Sequence, residues 1–411
     1  MTDAQRQRPP TISSEEFAER RRKLLDAARA RGLDGLIVWS RGGAGADCYG
    51  DVYYLSNFHS PIPPLTNSAK WSAKGHAALV MPLDGPPVLL ADTLDDPEER
   101  IQVEDARAVA HLPQAVADVV HECGLNGKKL GLVGQNSLLA RDLDALRSAA
   151  WRLDLEPVDD IMDRLRYVKS DAELGLLRHA ATIGCAWMNA TMGAVQAGRT
   201  EAEIVAEGLP VLIANGGRPY DVAISSGPNS QHFFGSLEVP HWNAWRPLEK
   251  GDLVHADLWG PVQGYLTDFV RSTVVGGTPT PEQRELLEGA VALIDHIIAG
   301  VQLGVTFDDL YHRGAGWLRD NGFGEDPADG TDSGHAFAEI FPSFGHSMGL
   351  VVEPPYLVEG EMTTIQPNVA IAIEGVVGRS GVGATGFERN IIVTEAGVEI
   401  LDAGSPTTWW D

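Results

Sequence analysis

The sequence predicts an α/β (α+β) chain of two domains, residues 1–163 and 164–411, and three observations carry that prediction. Its 411 residues, 44% of them hydrophobic, can bury more than one core. Short β-rich apolar runs separated by Gly, Pro and Asp dominate the first part and call for a mixed sheet. From about Arg164 the texture changes to capped helices with strand-like segments between and after them.

Taken in order, Ser13 and Glu16 read as a capping box, with Ile12 packed on Phe17, opening a helix that should end near Gly32. Gly35 to Trp39, Val52 to Leu55, Ala77 to Met81, Val88 to Ala91 and Leu130 to Val133 read as strands, with one helical stretch near 114–123. No glycine-rich phosphate loop follows any of them, which argues against a nucleotide site there. In the second domain Ser170 with Glu173, and Thr200 with Glu203, start helices. Thr280-Pro281-Glu282-Gln283 starts a third, with proline at the first helical position.

Lys and Arg total 32 against 57 Asp and Glu, a net charge of −25 that repels a phosphate backbone and an anionic bilayer alike. No nucleic acid and no membrane partner is therefore expected. The polar start of the chain lacks the apolar run of a signal peptide, and no stretch is long enough to span a bilayer, so a cytoplasmic location is expected. Cys48, Cys123 and Cys185 are scattered and odd in number, so neither a disulfide framework nor a thiolate site is expected.

The chemistry concentrates in the acidic residues of two hairpin-like segments. Asp257 and Asp268 lie on either side of a Gly/Pro/Gln/Gly turn; if the turn centres on Val262-Gln263 they are directly opposed and share a face. Two carboxylates that close repel unless a cation or a proton lies between them. Glu374 ends one apolar run and Glu388 begins another, at the mouths of buried strands, where an unpaired carboxylate is costly. His346 sits between Gly345 and Gly349 in Gly345-His346-Ser347-Met348-Gly349, where close backbone approach is allowed. Four carboxylates and one neutral imidazole balance two divalent cations, which would acidify a shared water toward hydroxide near neutral pH. Oxygen-rich ligation with one His suits Mn, Co, Fe or Zn.

The ordered set Asp257, Asp268, His346, Glu374 and Glu388 resembles the five metal ligands of the M24 metallopeptidase family, to which methionine aminopeptidase, aminopeptidase P and prolidase belong. The strings SGPNSQH at 226–232, LEKGDLVHADLWG at 248–260, GYLTDFVRS at 264–272, GHSMGL at 345–350 and FERNIIVTEAGVEIL at 387–401 are similar to that family. DVYYLSNF at 51–58 and RLRYVKSDAELGLLRHAA at 164–181 fit its creatinase/prolidase branch. The resemblance implies an N-terminal creatinase-type domain and a C-terminal pita-bread domain with a curved antiparallel sheet. It also implies two divalent metal ions and a homodimer.

Departures bear on substrate. Proline-specific members carry a His seven residues past the ligand His; here Glu353 either replaces it or, through a one-residue deletion, matches the Glu that follows it. Pro342 stands where another peptidase His is common, and Gly386 where many prolidases have Arg. Such groups contribute about 10²–10⁴-fold, so their loss argues against ordinary Xaa-Pro cleavage. His232, the remaining histidine of the SGPNSQH string, is expected to act on substrate; Glu353 either caps a loop or moves a proton. Tyr220, Trp242 and Trp259, together with Trp245, are candidate pocket walls. His255 shares a strand face with Asp257 and is expected to support a ligand or pack in the core. His241 and His335 are read as structural or surface groups.

These readings combine into a dinuclear-metal hydrolase of an amide-like carbon–nitrogen bond in a small molecule or dipeptide, with Glu374 handling the proton and His232 steadying the oxyanion. The alternatives are a metal-dependent lyase, similar to the dimethylsulfoniopropionate lyase branch of the family, and a catalytically silent binding module.

Overall fold

The computed structural model describes residues 9–42, 50–60, 62–63, 65–94, 100–231, 241–323, 343–379 and 381–410. They divide into a unit of Thr11–Arg166 and a larger one that includes Tyr167–Asp411.

The first unit comprises α1 (Ser14–Ala30), β1 (Gly35–Arg41), α2 (Gly50–Ser56), β2 (His76–Pro82), β3 (Val88–Ala91), β4 (Asp105–Ala108), α3 (Leu112–Glu122), β5 (Lys129–Val133), α4 (Ala140–Ala149), β6 (Asp154–Pro157) and α5 (Asp159–Tyr167). Ser13 caps α1 by accepting from the Glu16 N–H, while the Glu16 carboxylate engages Arg20. The six strands form one sheet in the order β4-β3-β2-β1-β5-β6. Pairing is antiparallel across β1–β2 and β2–β3 and parallel across β3–β4, β1–β5 and β5–β6, so the sheet is mixed as the sequence predicts. The strand expected at Val52 to Leu55 is instead helix α2. A four-residue apolar run carries no period that separates strand from buried helix. Here Val52, Tyr54 and Leu55 all bury within one helical turn, and Arg20 lies over the Tyr54 ring.

The larger unit comprises α6 (Asp171–Gly193), α7 (Glu201–Ala214), β7 (Asp221–Ser226), β8 (Leu253–Val262), β9 (Tyr265–Val274), α8 (Pro281–Ile298), α9 (Phe307–Asp320), β10 (Gly345–Met348), β11 (Val352–Tyr356), β12 (Val369–Arg379), β13 (Gly383–Thr394) and β14 (Gly397–Ile400). Reciprocal capping boxes open α6 at Ser170, α7 at Thr200 and α8 at Thr280, as the sequence predicts. Two antiparallel sheets result, β7-β8-β9 and β11-β10-β12-β13-β14.

Strand alternation assigns each sheet one face to a helical layer and the other to the ligand candidates. Val254, Ala256, Leu258 and Phe269 pack with Ala180, Trp187 and Met188 of α6. Ile371, Ile373, Phe387 and Ile391 pack with Leu286, Leu293 and Ile294 of α8. The residues between them on β8, β9, β12 and β13 turn toward the opposite sheet.

Asn390, fully buried, ties β13 to β9: its amide donates to the Asp268 carbonyl at 2.6 Å and accepts from the Asp268 N–H at 3.2 Å. Asn390→Ala leaves both backbone groups buried and unpaired, and a loss of about 2–3 kcal/mol in urea unfolding is expected. A change below about 0.5 kcal/mol, the size of an ordinary surface substitution, would show that this bridge does not hold the sheets together.

Candidate metal centre

The two acidic hairpins meet through the faces left clear of the helices. In the first, Gln263 and Gly264 form the turn with φ of 54° and 87°, the signature of a two-residue hairpin whose twist matches its strands. This places the centre one residue later than the expected Val262-Gln263. Asp257 therefore opposes Val270 and Asp268 opposes Trp259, so the two aspartates are diagonal neighbours rather than directly opposed. Because the offset is two residues they still share a face.

In the second hairpin Glu374 directly opposes Glu388. Both lie inside long strands, eleven and twelve residues in length, and not at strand mouths as the sequence suggested. Apolar runs outline only the helix-facing side, whereas the pairing continues through Gly375, Gly378 and Gly386. His346 joins from β10, opposite Ala372 of β12.

Asp268, His346 and Glu388 each offer a ligand atom, all within 4.8 Å of one another. His346 Nε2 lies 3.6 Å from Asp268 Oδ2 and 3.9 Å from Glu374 Oε1. Asp257 belongs to the same electrostatic cluster. Burial first, and then the charges of Glu374 and Asp221, hold its carboxyl well above the usual range. Burial followed by Asp257 and Glu374 does the same to Asp268. Burial followed by Asp268, Glu374 and Asp257 does so to Glu388, against the opposing pull of Arg271. Burial alone lifts Glu374 to about 7.

His346 moves the other way, to about 4, because burial disfavours its cation. Its Nδ1 lies 3.0 Å from the Ser347 carbonyl, an acceptor only, so the neutral ring carries its proton on Nδ1 and presents the Nε2 lone pair to the carboxylates.

This donor set fits divalent metal. Asp257 Oδ1 and Glu388 Oε1 are buried without a hydrogen-bond partner, and four carboxylates with raised pKa converge beside a neutral imidazole. Cations relieve that repulsion, and mixed oxygen and nitrogen donors suit Mn, Co, Fe or Zn.

Behind the cluster, Arg271 and Asp402 form a fully buried ion pair, and Arg271 also donates to the Glu388 carbonyl at 2.6 Å. His255 is buried with its ring against Gly386, where a Cβ would meet Nε2 at 2.9 Å. Burial holds its pKa down to about 4, so it packs as a neutral ring.

The remaining sequence candidates separate clearly. His232 lies outside the described residues, as do Cys48 and His335. Tyr220 and Trp259 meet edge to face with centroids 5.8 Å apart, and Trp259 shares the face of Asp257 and Asp268. Trp242 packs on the partly buried margin of the α6 core rather than in the acidic cluster. Trp245 is exposed. Glu353, expected to cap a loop or move a proton, opposes Ser347, and its carboxylate is held by Lys169 at 2.8 Å. Tyr356 stands opposite His346 instead, with ring centroids 6.5 Å apart.

Two groups escaped the sequence reading. Asp221 opposes Trp259 across β7–β8, so it shares the face of Asp257, whose pKa it raises. His241 Nδ1 lies 2.6 Å from Asp221 Oδ2, and the His241 carbonyl accepts from the Ile224 N–H. The sequence separates this pair widely, and no spacing rule links a residue on a strand to one in the loop that folds back along it. Only the β7–β8 register reveals the face that Asp221 occupies. Lys169 is the second, buried and paired with Glu353.

The profile of metallopeptidase family M24 matches residues 175–395, and that of the creatinase/prolidase N-terminal domain matches residues 20–168. An Xaa-Pro dipeptidase of Pyrococcus horikoshii is 26% identical over 278 residues, 67% of this chain and 73% of that protein. Among solved structures, an Xaa-Pro dipeptidase from Bacillus anthracis superposes with a TM-score of 0.74 at 22% identity, covering 95% of this chain and 98% of the other. An X-Pro aminopeptidase from Thermotoga maritima gives 0.75 at 19% identity, covering 95% and 99%. A mixed-sheet unit followed by two facing antiparallel sheets with inward acids is the creatinase-type and pita-bread pairing that the resemblance implies. The chain belongs to metallopeptidase family M24, with a creatinase/prolidase N-terminal domain ahead of its metallopeptidase domain.

Proposed function

We propose that this chain is a dinuclear-metal hydrolase that cleaves an amide-type carbon–nitrogen bond in a dipeptide or small molecule. The convergence of Asp257, Asp268, Glu374 and Glu388 on a neutral His346 carries the reading. Relatives named Xaa-Pro dipeptidase and X-Pro aminopeptidase make an Xaa-Pro bond the first substrate to try. Two divalent ions, when bound, would polarise the carbonyl and acidify the attacking water.

The residues of the chain do the rest. Asp257, Asp268, His346, Glu374 and Glu388 would hold the ions. Glu374, beside the water that the ions would hold, would take and return its proton. His241 is oriented through Nδ1 by Asp221, which shares the face of Asp257, and once protonated at Nε2 it would donate to the oxyanion or the departing amine, alongside or in place of His232, to which the sequence reading gives the oxyanion. Trp259 and Tyr220 wall the substrate beside Asp257. Ion-pairing of Glu353 with Lys169 supports a positioning role for this carboxylate over proton transfer.

A manganese-loaded homodimer in the cytoplasm is part of the same proposal. The family resemblance supports the metal and the homodimer; no described helix is long and apolar enough to cross a membrane.

Elemental analysis, then a screen of Xaa-Pro dipeptides and small amides before and after chelation, tests the function. Turnover that persists in metal-free protein ends the mechanism. Product without label in oxygen-18 water ends hydrolysis in favour of a lyase. His241→Ala should lower kcat by about 10²-fold with metal content unchanged. An unaltered kcat would remove His241 from the reaction.

A further inference from the structure

The Lys169–Glu353 pair is buried, with side chains 1% and 5% exposed, yet it takes no part in the chemistry above. The three protons of the Lys169 ammonium have three acceptors: Glu353 Oε1 at 2.8 Å, the Tyr167 carbonyl at 3.1 Å and Ser347 Oγ at 3.4 Å. Ser347, fully buried, connects this ammonium to the acidic cluster. Its hydroxyl donates to the Ala370 carbonyl of β12 at 3.3 Å, and its own carbonyl faces His346 Nδ1 at 3.0 Å. β10 pairs regularly with β12 here, but the β10–β11 register shifts between His346 and Ser347, so on the β11 side strand pairing does not fix this point. Gly349 completes the arrangement, since any Cβ there would collide with the Glu353 carboxylate.

We propose that Lys169 and Glu353 are positioning residues for His346. The ammonium ties Ser347 to Glu353 of β11 while the Ser347 hydroxyl holds β12, and the Ser347 carbonyl in turn holds the imidazole in the tautomer and orientation that aim Nε2 at Asp268 and Glu374. Outer groups that orient a ligand histidine commonly account for about 10–100-fold in metal affinity. A compact ammonium with three independent donors suits the three acceptors, whereas a planar guanidinium does not match them. This inference rests on His346 being a metal ligand.

The test is Mn(II) binding to the full chain, read by calorimetric titration alongside thermal unfolding of the metal-free protein. His346→Ala sets the scale for loss of the ligand itself. The double variant Lys169→Met with Glu353→Leu removes both charges, so no unpaired charge is left buried to unfold the protein. It should melt close to the parent yet bind Mn(II) about 10–100-fold more weakly. Lys169→Arg should not restore affinity. Gly349→Ala, which displaces the Glu353 carboxylate while keeping both charges, should weaken binding in the same direction and serves if the double variant fails to fold. Parental affinity in the double variant or in Gly349→Ala, with His346→Ala impaired, overturns the positioning role and leaves the metal centre standing. Parental affinity in His346→Ala overturns the centre and this inference together.

Discussion

Glu388→Gln should lower kcat/KM on the order of 10⁴-fold, equivalent to about 5 kcal/mol of transition-state stabilisation, and deplete bound metal in elemental analysis. Glu388 directly opposes Glu374, and one of its oxygens lies within ligand range of Asp268 and His346. The amide keeps the shape and removes the charge. The same substitution should not destabilise the metal-free protein, because the carboxyl it replaces is already held well above its usual pKa by burial and by Asp268, Glu374 and Asp257. A variant that keeps its metal and more than about a tenth of its turnover would exclude Glu388 as a ligand.

Metal removal should destabilise the protein in a manner that depends on pH, with a sign set by the raised carboxyl pKa values. In metal-free protein the folded state holds protons that the unfolded chain releases above pH 4–5, so folding stability is fully present below that range. It falls as pH rises through the folded-state values, which for Glu374 is about 7. That group alone accounts for on the order of 3 kcal/mol, or a fall in Tm of about 6–12 °C for a unit of this size. Asp257, Asp268 and Glu388 shift in the same direction. Metal needs the same carboxylates ionised, so its binding releases protons and strengthens with pH. Melting curves with and without chelator should therefore diverge between pH 6.5 and 8, above the range in which His346 and His255, buried as neutral rings with values of about 4, stabilise the fold as pH rises. A metal-free protein that gains stability over that interval would show that the acids are not clustered.

Much of the fold was legible because it rests on local signals. Ser170, Thr200 and Thr280 cap their helices through contacts three residues away, and β1, β2, β3 and β5 follow short apolar runs bounded by Gly, Pro and Asp. The run Val52 to Leu55 failed for want of a period, and the hairpin turn centred one residue late, which moved the pairing by two. A non-glycine at positive φ, Gln263, gave no sign of itself in the sequence.

By itself the sequence determined which residues could bear the chemistry: ordered carboxylates and a glycine-flanked histidine, whose types and order depend on no distance. Only the tertiary structure decided how they meet. It made Glu374 and Glu388 a directly opposed pair, brought His241 to Asp221, and gave the Glu353 carboxylate to Lys169. Strand register, the packing of one sheet on another and the pairing of buried charges are long-range choices. Loop closure and desolvation weigh them over the whole chain at once, and no local window of sequence contains both partners.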